Sequence, residues 1–350
     1  MPAPPAGVDS ERSLLLPMVR KPMAVAETAS DRPRVERLAK SAAGSGTLGD
    51  KVFFGLTYSF AALVLLILAG ILLSLLIGSW PAFERLGLGF FTSVSWNPVT
   101  EKFGAVAPVY GTLVTSLIAL LFGVPISLGI VIVLTELAPE RLRRPISTAI
   151  ELLAAIPSII YGMWGLFVFV PFYKAYVQPA LGSTLGKVPL VGALFSGPPF
   201  GVGMLTAGLI LAIMILPFIA AVMRDVFETV PPLLRESAYA LGATTWEVVW
   251  HVILPYTRTG VAGAIMLGLG RALGETMAVT FVIGNSNEIN ASLFMPATTI
   301  SATIANEFTE AVGDVYYSSL IALGLTLFFI TFVVLVLAKL MLRQLAGKVR

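Results

Sequence analysis

The chain has 350 residues, of which 57% are hydrophobic and only 12% charged, with a formal net charge of +3. Soluble domains carry about 25% charged residues, so this balance excludes an ordinary water-soluble enzyme or a disordered chain and makes the bilayer the solvent. Zero cysteines remove disulfides, thiolate metal sites and cysteine nucleophiles, and a single histidine, His251, removes multi-histidine metal sites.

Residues 1–51 are rich in Pro, Ala, Ser and charge and cannot bury enough apolar surface to fold alone, so they read as a mobile cytoplasmic tail or a binding arm. Apolar pieces such as Leu14–Leu16 are too short for a secretory signal. Residues 52–350 read as an all-α, polytopic membrane domain. A helix needs about 20 residues to cross about 30 Å of hydrocarbon. Six stretches meet or approach that length: Val52–Ile77, Val109–Leu134, Pro145–Tyr173, Val202–Met223, Val252–Ile283 and Tyr317–Ala338. Backbone groups in lipid must bond internally, and the alternating pattern of a membrane barrel is missing.

Of the 23 Lys and Arg, 18 are assigned to the N-terminal side of the membrane, with Arg258 at the entry of the fifth span counted among them, four to the opposite side and one, Arg271, to the interior of a span. Positive charge is retained in the cytoplasm, so both termini are predicted cytoplasmic. The last outer loop, Gly284 to Val315, holds four acids and no Lys or Arg, which agrees. Pro125, Pro157, Pro217 and Pro255 fall within or at the ends of spans, where each favours a kink.

Two apparent motifs fail on spacing. Gly182 to Lys187 is one residue short of a phosphate loop, lacks its Ser/Thr and sits on the outer side. Gly268, Gly270 and Gly274 are one residue too long for a dinucleotide fingerprint, and the spacing of Gly270, Gly274 and Ala278 instead predicts a smooth helix face for close packing. Neither HExxH nor GxSxG occurs, so no catalytic residue is assigned.

The segment 224–255 is the first informative feature. Leu234, Ala238 and Leu241 can share one face of a short amphipathic helix, followed by a turn at Gly242 and an apolar run, Val252 to Pro255, that re-enters the membrane. Periodicity alone reads it as a helix lying on the headgroups. The second feature is Arg271 with Glu275 in the fifth span. Arg271 lies 13 residues before Gly284 and 13 after Arg258, close to mid-membrane, where a charge costs roughly 2.5–3.5 kcal/mol. On a continuous helix the two side chains share a face and can pair. The pair then either closes the bundle or offers a fixed positive charge to a translocating anion, and a guanidinium suits a tetrahedral oxyanion.

The spacing Glu236, Ser237, Ala238, then Gly242, then Val252 to Pro255 resembles the EAA loop of importer-type ABC permeases, with Ser237 and Val252 as small departures. The words YGTLVTS (Tyr110 to Ser116), ELLAAIPSIIYG (Glu151 to Gly162) and GLGRALGETMAVTFVIG (Gly268 to Gly284) extend the likeness over residues 52–342. The chain as a whole resembles the PstC-type permease subunits of phosphate-specific ABC importers. That resemblance implies a coupling helix built on Glu236, Ser237, Ala238, Gly242, Leu254 and Pro255, and a translocation pair at Arg271 and Glu275. It implies a second, PstA-type permease, a dimeric PstB-type ATPase that uses ATP and Mg, and a PstS-type periplasmic phosphate-binding protein. Inorganic phosphate would be the cargo and membrane lipid the surroundings, in the bacterial inner membrane, with no nucleic acid partner, no metal and no cofactor bound by this chain. The competing reading is a secondary anion transporter that needs no ATPase, or a permease for sulfate or molybdate.

Overall fold

The computed structural model describes residues 48–189 and 191–347, with side chains to Arg343, so all but the last four residues of the expected tail lie outside the described residues. Among the described residues there is no strand; the bridges Asn97 with Lys102 and Gly284 with Ala297 are isolated. The chain divides into two compact units, Met1–Ala69 and Gly70–Arg350. In the first, residues 48–69 are helix, exposed at every position. A helix apolar all round, with no protein face to bury, is one solvated by lipid.

Apart from short 3-10 turns at Gly87–Phe91 and Gly192–Phe195, ten helices make up the regular structure of the described residues, and six of them are long and apolar enough to cross a membrane. They run α1 (Leu48–Leu86), α2 (Val106–Leu137), α3 (Glu140–Ala154), α4 (Ser158–Lys187), α5 (Met204–Glu228), α6 (Pro232–Ala240), α7 (Thr245–Leu273), α8 (Met277–Val282), α9 (Ile300–Glu307) and α10 (Asp314–Gly347). The six crossing helices are α1, α2, α4, α5, α7 and α10, in the order expected from the sequence.

Two expected spans are redrawn. The third does not run from Pro145 to Tyr173, because α3 is a separate amphipathic helix and the chain breaks at Ala155 to Pro157. Proline excludes the α conformation from the residue before it, so Ile156 cannot continue α3, and α4 starts at Ser158. The fifth does not reach Ile283 as one helix: α7 stops at Leu273, and Gly274 to Thr276 separate it from α8. Glycine is among the weakest helix formers, and here three residues of non-helical backbone sit within an apolar segment.

Prolines also set the local pitch. Pro139, Pro171, Pro179 and Pro255 each follow by two residues a widened turn, at Val133–Leu137, Gly165–Phe169, Tyr173–Val177 and Val249–Ile253. In each, the residue before the proline donates its N–H five residues back, as Leu254 does to the Val249 carbonyl. A proline ring collides with the carbonyl four residues before it, and the wider turn moves that carbonyl aside.

The core is centred on α5, whose Leu211, Ile215, Ile219, Met223 and Phe227 are all buried. Without a hydrophobic gain between helices in lipid, close approach supplies the attraction. Gly208 of α5 admits Ile118 of α2, since a Cβ there would stand 2.5 Å from it, and Gly268 of α7 admits Ile219 in the same way. At one end of the second unit, Glu307 accepts from Trp96 Nε1 at 2.5 Å and from the Tyr316 hydroxyl at 2.8 Å. There the start of α2 is tied to the segment 284–300: Thr112 Oγ1 accepts from the Ile300 N–H at 3.0 Å, and any side chain at Gly111 would overlap the Thr298 carbonyl.

Candidate functional site

At the opposite end, α6 projects with Glu236 and Ser237 exposed and Ala238 half-buried against the core. Its start is set by Pro231, extended at φ −56° and ψ 133°, with Pro232 at the first helical position. Its end is a Schellman turn: Gly242 N–H donates to Tyr239 O at 2.9 Å and Ala243 N–H to Ala238 O at 3.2 Å, with Gly242 at φ +87°. Thr244 then caps α7 through a reciprocal pair with Glu247, the Thr244 N–H donating to Glu247 Oε2 at 2.8 Å. Two successive caps leave only Leu241 to Thr244 between helices, so α6 is held at a fixed angle to α7. Leu254 packs half-buried on the core, and Pro255 is exposed one residue on.

The apolar face expected at Leu234, Ala238 and Leu241 does not form. Leu241 is 90% exposed because α6 ends at Ala240 and Leu241 lies in the cap. The residue that fastens α6 is instead Arg235, whose Nη2 donates to the Phe227 carbonyl at 2.6 Å and whose Nη1 stands 3.3 Å from Glu136 Oε1 at the end of α2. Nearby, Arg224 of α5 binds Glu151 of α3 at 2.9 Å.

Arg271 lies in the last turn of α7, and Glu275 lies within the break that separates α7 from α8. The expected pairing on one helical face is therefore absent: among the described residues no ion pair joins them, because the break redirects Glu275. Glu275 Oε1 accepts from the Ala278 N–H at 3.2 Å, at the start of α8. Arg271 is exposed and rests over the Phe218 ring of α5 at 5.8 Å, a cation–π distance. The Tyr161 phenol of α4 donates to the Leu153 carbonyl at 2.9 Å and so bridges the α3–α4 break.

The break also undoes the expected small-residue face. A Cβ added at Gly270 would meet nothing within 4 Å and one at Gly274 only the Gly270 carbonyl at 3.8 Å, whereas Ala278 is fully buried against Gly162 of α4. Tight packing falls at Gly162, Gly208, Gly260 and Gly268. Sequence reasoning missed Glu136, Arg235, Tyr161 and Phe218; the spacing of Thr244 and Glu247 was a readable capping signature.

Residues 126–349 match the profile of a family described as binding-protein-dependent transport system inner membrane component. The chain belongs to that family. Among curated relatives, the phosphate transport system permease protein PstC of Mesorhizobium japonicum is 61% identical over 86% of this chain and 92% of its own length. The protein of the same name from Pasteurella multocida is 60% identical, over 85% and 93%. A probable PstC from Methanocaldococcus jannaschii is 39% identical over 73% and 81%. Among solved structures, a chain of a bacterial alginate ABC transporter, in complex with its alginate-bound periplasmic protein, superposes with a TM-score of 0.58 at 20% identity, over 85% of this chain and 96% of that one. A chain of the inward-facing MetNI methionine ABC transporter gives 0.52 at 19%, over 69% and 95%. The fold is that of an ABC importer permease, and this inner membrane component is a multi-pass transport subunit rather than an enzyme.

Proposed function

We propose that the chain is the membrane permease subunit of an ATP-driven phosphate importer and forms half of the translocation path. The observation that carries this reading is Arg271: a guanidinium at a helix break deep in an apolar segment, exposed on its own chain and without a carboxylate partner among the described residues. A charge so placed is tolerated where it faces a polar path rather than lipid, and its planar donors fit a tetrahedral oxyanion. Relatives named for phosphate transport at about 60% identity support that choice of anion.

The path is completed by a second, PstA-type permease against the face at Gly270 and Gly274, where among the described residues an added side chain would meet no other helix. Both termini and α6 are cytoplasmic, and Glu236, Ser237, Ala238 and Gly242 present α6 to a dimeric PstB-type ATPase, with Leu254 and Pro255 anchoring its root in α7. ATP and Mg act in that partner, and a PstS-type binding protein delivers phosphate to the opposite face. Glu275 orders the break beside Arg271 by capping α8.

Reconstitution of the chain with these partners in vesicles tests the reading. Uptake of labelled phosphate that needs ATP and the binding protein supports it. Uptake driven by a proton gradient without nucleotide, or ATPase activity stimulated by sulfate or molybdate alone, overturns it.

A further inference from the structure

The contact between Arg235 and Glu136 joins α6 to a helix that is not its neighbour in the chain. Glu136 lies in the widened last turn of α2, its side chain 5% exposed, and Arg235 Nη1 is the only cation paired with it among the described residues. Through Nη2 the same guanidinium holds the Phe227 carbonyl in the last turn of α5. One side chain on α6 thus grips the ends of two crossing helices at once. A carboxylate so far from water cannot be left alone without a large penalty, so pulling α6 away from α2 is strongly opposed. The contact is not a saturated hydrogen-bond set, since Glu136 Oε1 and Arg235 Nε have no hydrogen-bond partner. It therefore holds by charge and tolerates pivoting while resisting separation.

The far end of α2 is fastened to the segment 284–300 by Tyr110, Thr112 and Gly111, and its middle packs on α5. A displacement of α6 held to α2 reaches both ends of the bundle without passing through the loop that joins α5 to α6. We propose that Arg235 and Glu136 are positioning residues that make α6 and the ends of α2 and α5 move as one body, so that force applied to α6 reaches the translocation path.

This proposal rests on the reading of α6 as the ATPase contact, and the test separates the two. In the reconstituted complex, Glu136→Gln and Arg235→Gln should each lower phosphate imported per ATP hydrolysed by at least about tenfold. A purely structural pair would lower the amount of assembled complex and leave that ratio unchanged. Because removing one partner leaves a buried charge, the double variant Glu136→Gln with Arg235→Gln serves where a single one fails to assemble, and its ratio should stay low. The natural chain has no cysteine, so Glu136→Cys with Arg235→Cys, bridged by a short bis-maleimide, should recover the ratio that the unbridged pair loses. An unchanged ratio in the double Gln variant, or arrest of uptake on bridging, overturns the proposal. If the unaltered complex does not import phosphate on ATP, the underlying reading fails and the clasp falls with it.

Discussion

Arg271 and Glu275 look like a pair in the sequence and act as two separate devices in the fold. Because Glu275 accepts from the Ala278 N–H and no ion pair joins it to Arg271, removing both should not restore what removing one destroys. Arg271→Ala should abolish uptake in an assembled complex, and Arg271→Ala with Glu275→Ala should remain as inactive; recovery in the double variant would return the pair to a merely structural role. Arg271→Lys should be intermediate, since an ammonium lacks the planar fork of donors. Glu275→Gln keeps an acceptor for α8, whereas Glu275→Ala loses it, and such caps are worth about 1 kcal/mol, a difference that thermal unfolding of purified protein would resolve. Glycines separate in the same way. Gly242 needs its positive φ, so Gly242→Ala should strain the turn after α6 by about 1 kcal/mol and weaken coupling before it weakens folding. Gly111→Ala would drive a methyl into the Thr298 carbonyl and should sharply reduce folded protein on a size-exclusion trace.

At the level of single helices, the widened turns are a direct response to proline, and Pro255 offers the sharpest test. With Pro255→Ala the turn Val249–Ile253 is free to close to regular pitch, which would rotate everything before it, α6 included, by about one residue or 100° about the α7 axis. Uptake should fall at least about tenfold while the protein still inserts; unchanged uptake would mean that the orientation of α6 does not depend on this turn. Such turns mark what the sequence discloses and what it withholds. Six crossing helices were legible because apolar length is a local property, and the end of α6 was legible in Gly242. The break after Leu273 was hidden, because Gly274 to Thr276 lie between two apolar runs that together read as one long span. α3 was merged into its successor for a similar reason, although Pro157 and the stripe Leu142, Ile146, Ile150 and Leu153 were both in view. Arg235 and Glu136 are 99 residues apart, and no periodicity relates them; only the docking of α6 beneath α2 brings them together.

For the molecule as a whole, the lack of cysteine makes sidedness directly measurable. A single Glu236→Cys on α6 should react with a membrane-impermeant maleimide only in inverted vesicles, and a single Glu288→Cys only in intact spheroplasts. The reverse pattern would place α6 on the outer side and remove the basis for docking an ATPase there. The family fold is shared with importers of alginate and methionine at about 20% identity, so the scaffold itself does not choose the cargo.

That arginine stands at the carboxyl end of α7, where the last backbone carbonyls of a helix carry about half a negative charge. Its positive field is partly offset by the rod on which it is mounted. Under the proposed function, an anion arriving there would be welcomed but not gripped, and a carrier that never traps its passenger has no need of extra work to set it loose. Tight retention would then fall to the soluble receptor outside, and rapid release into the cell would follow from where one helix happens to stop.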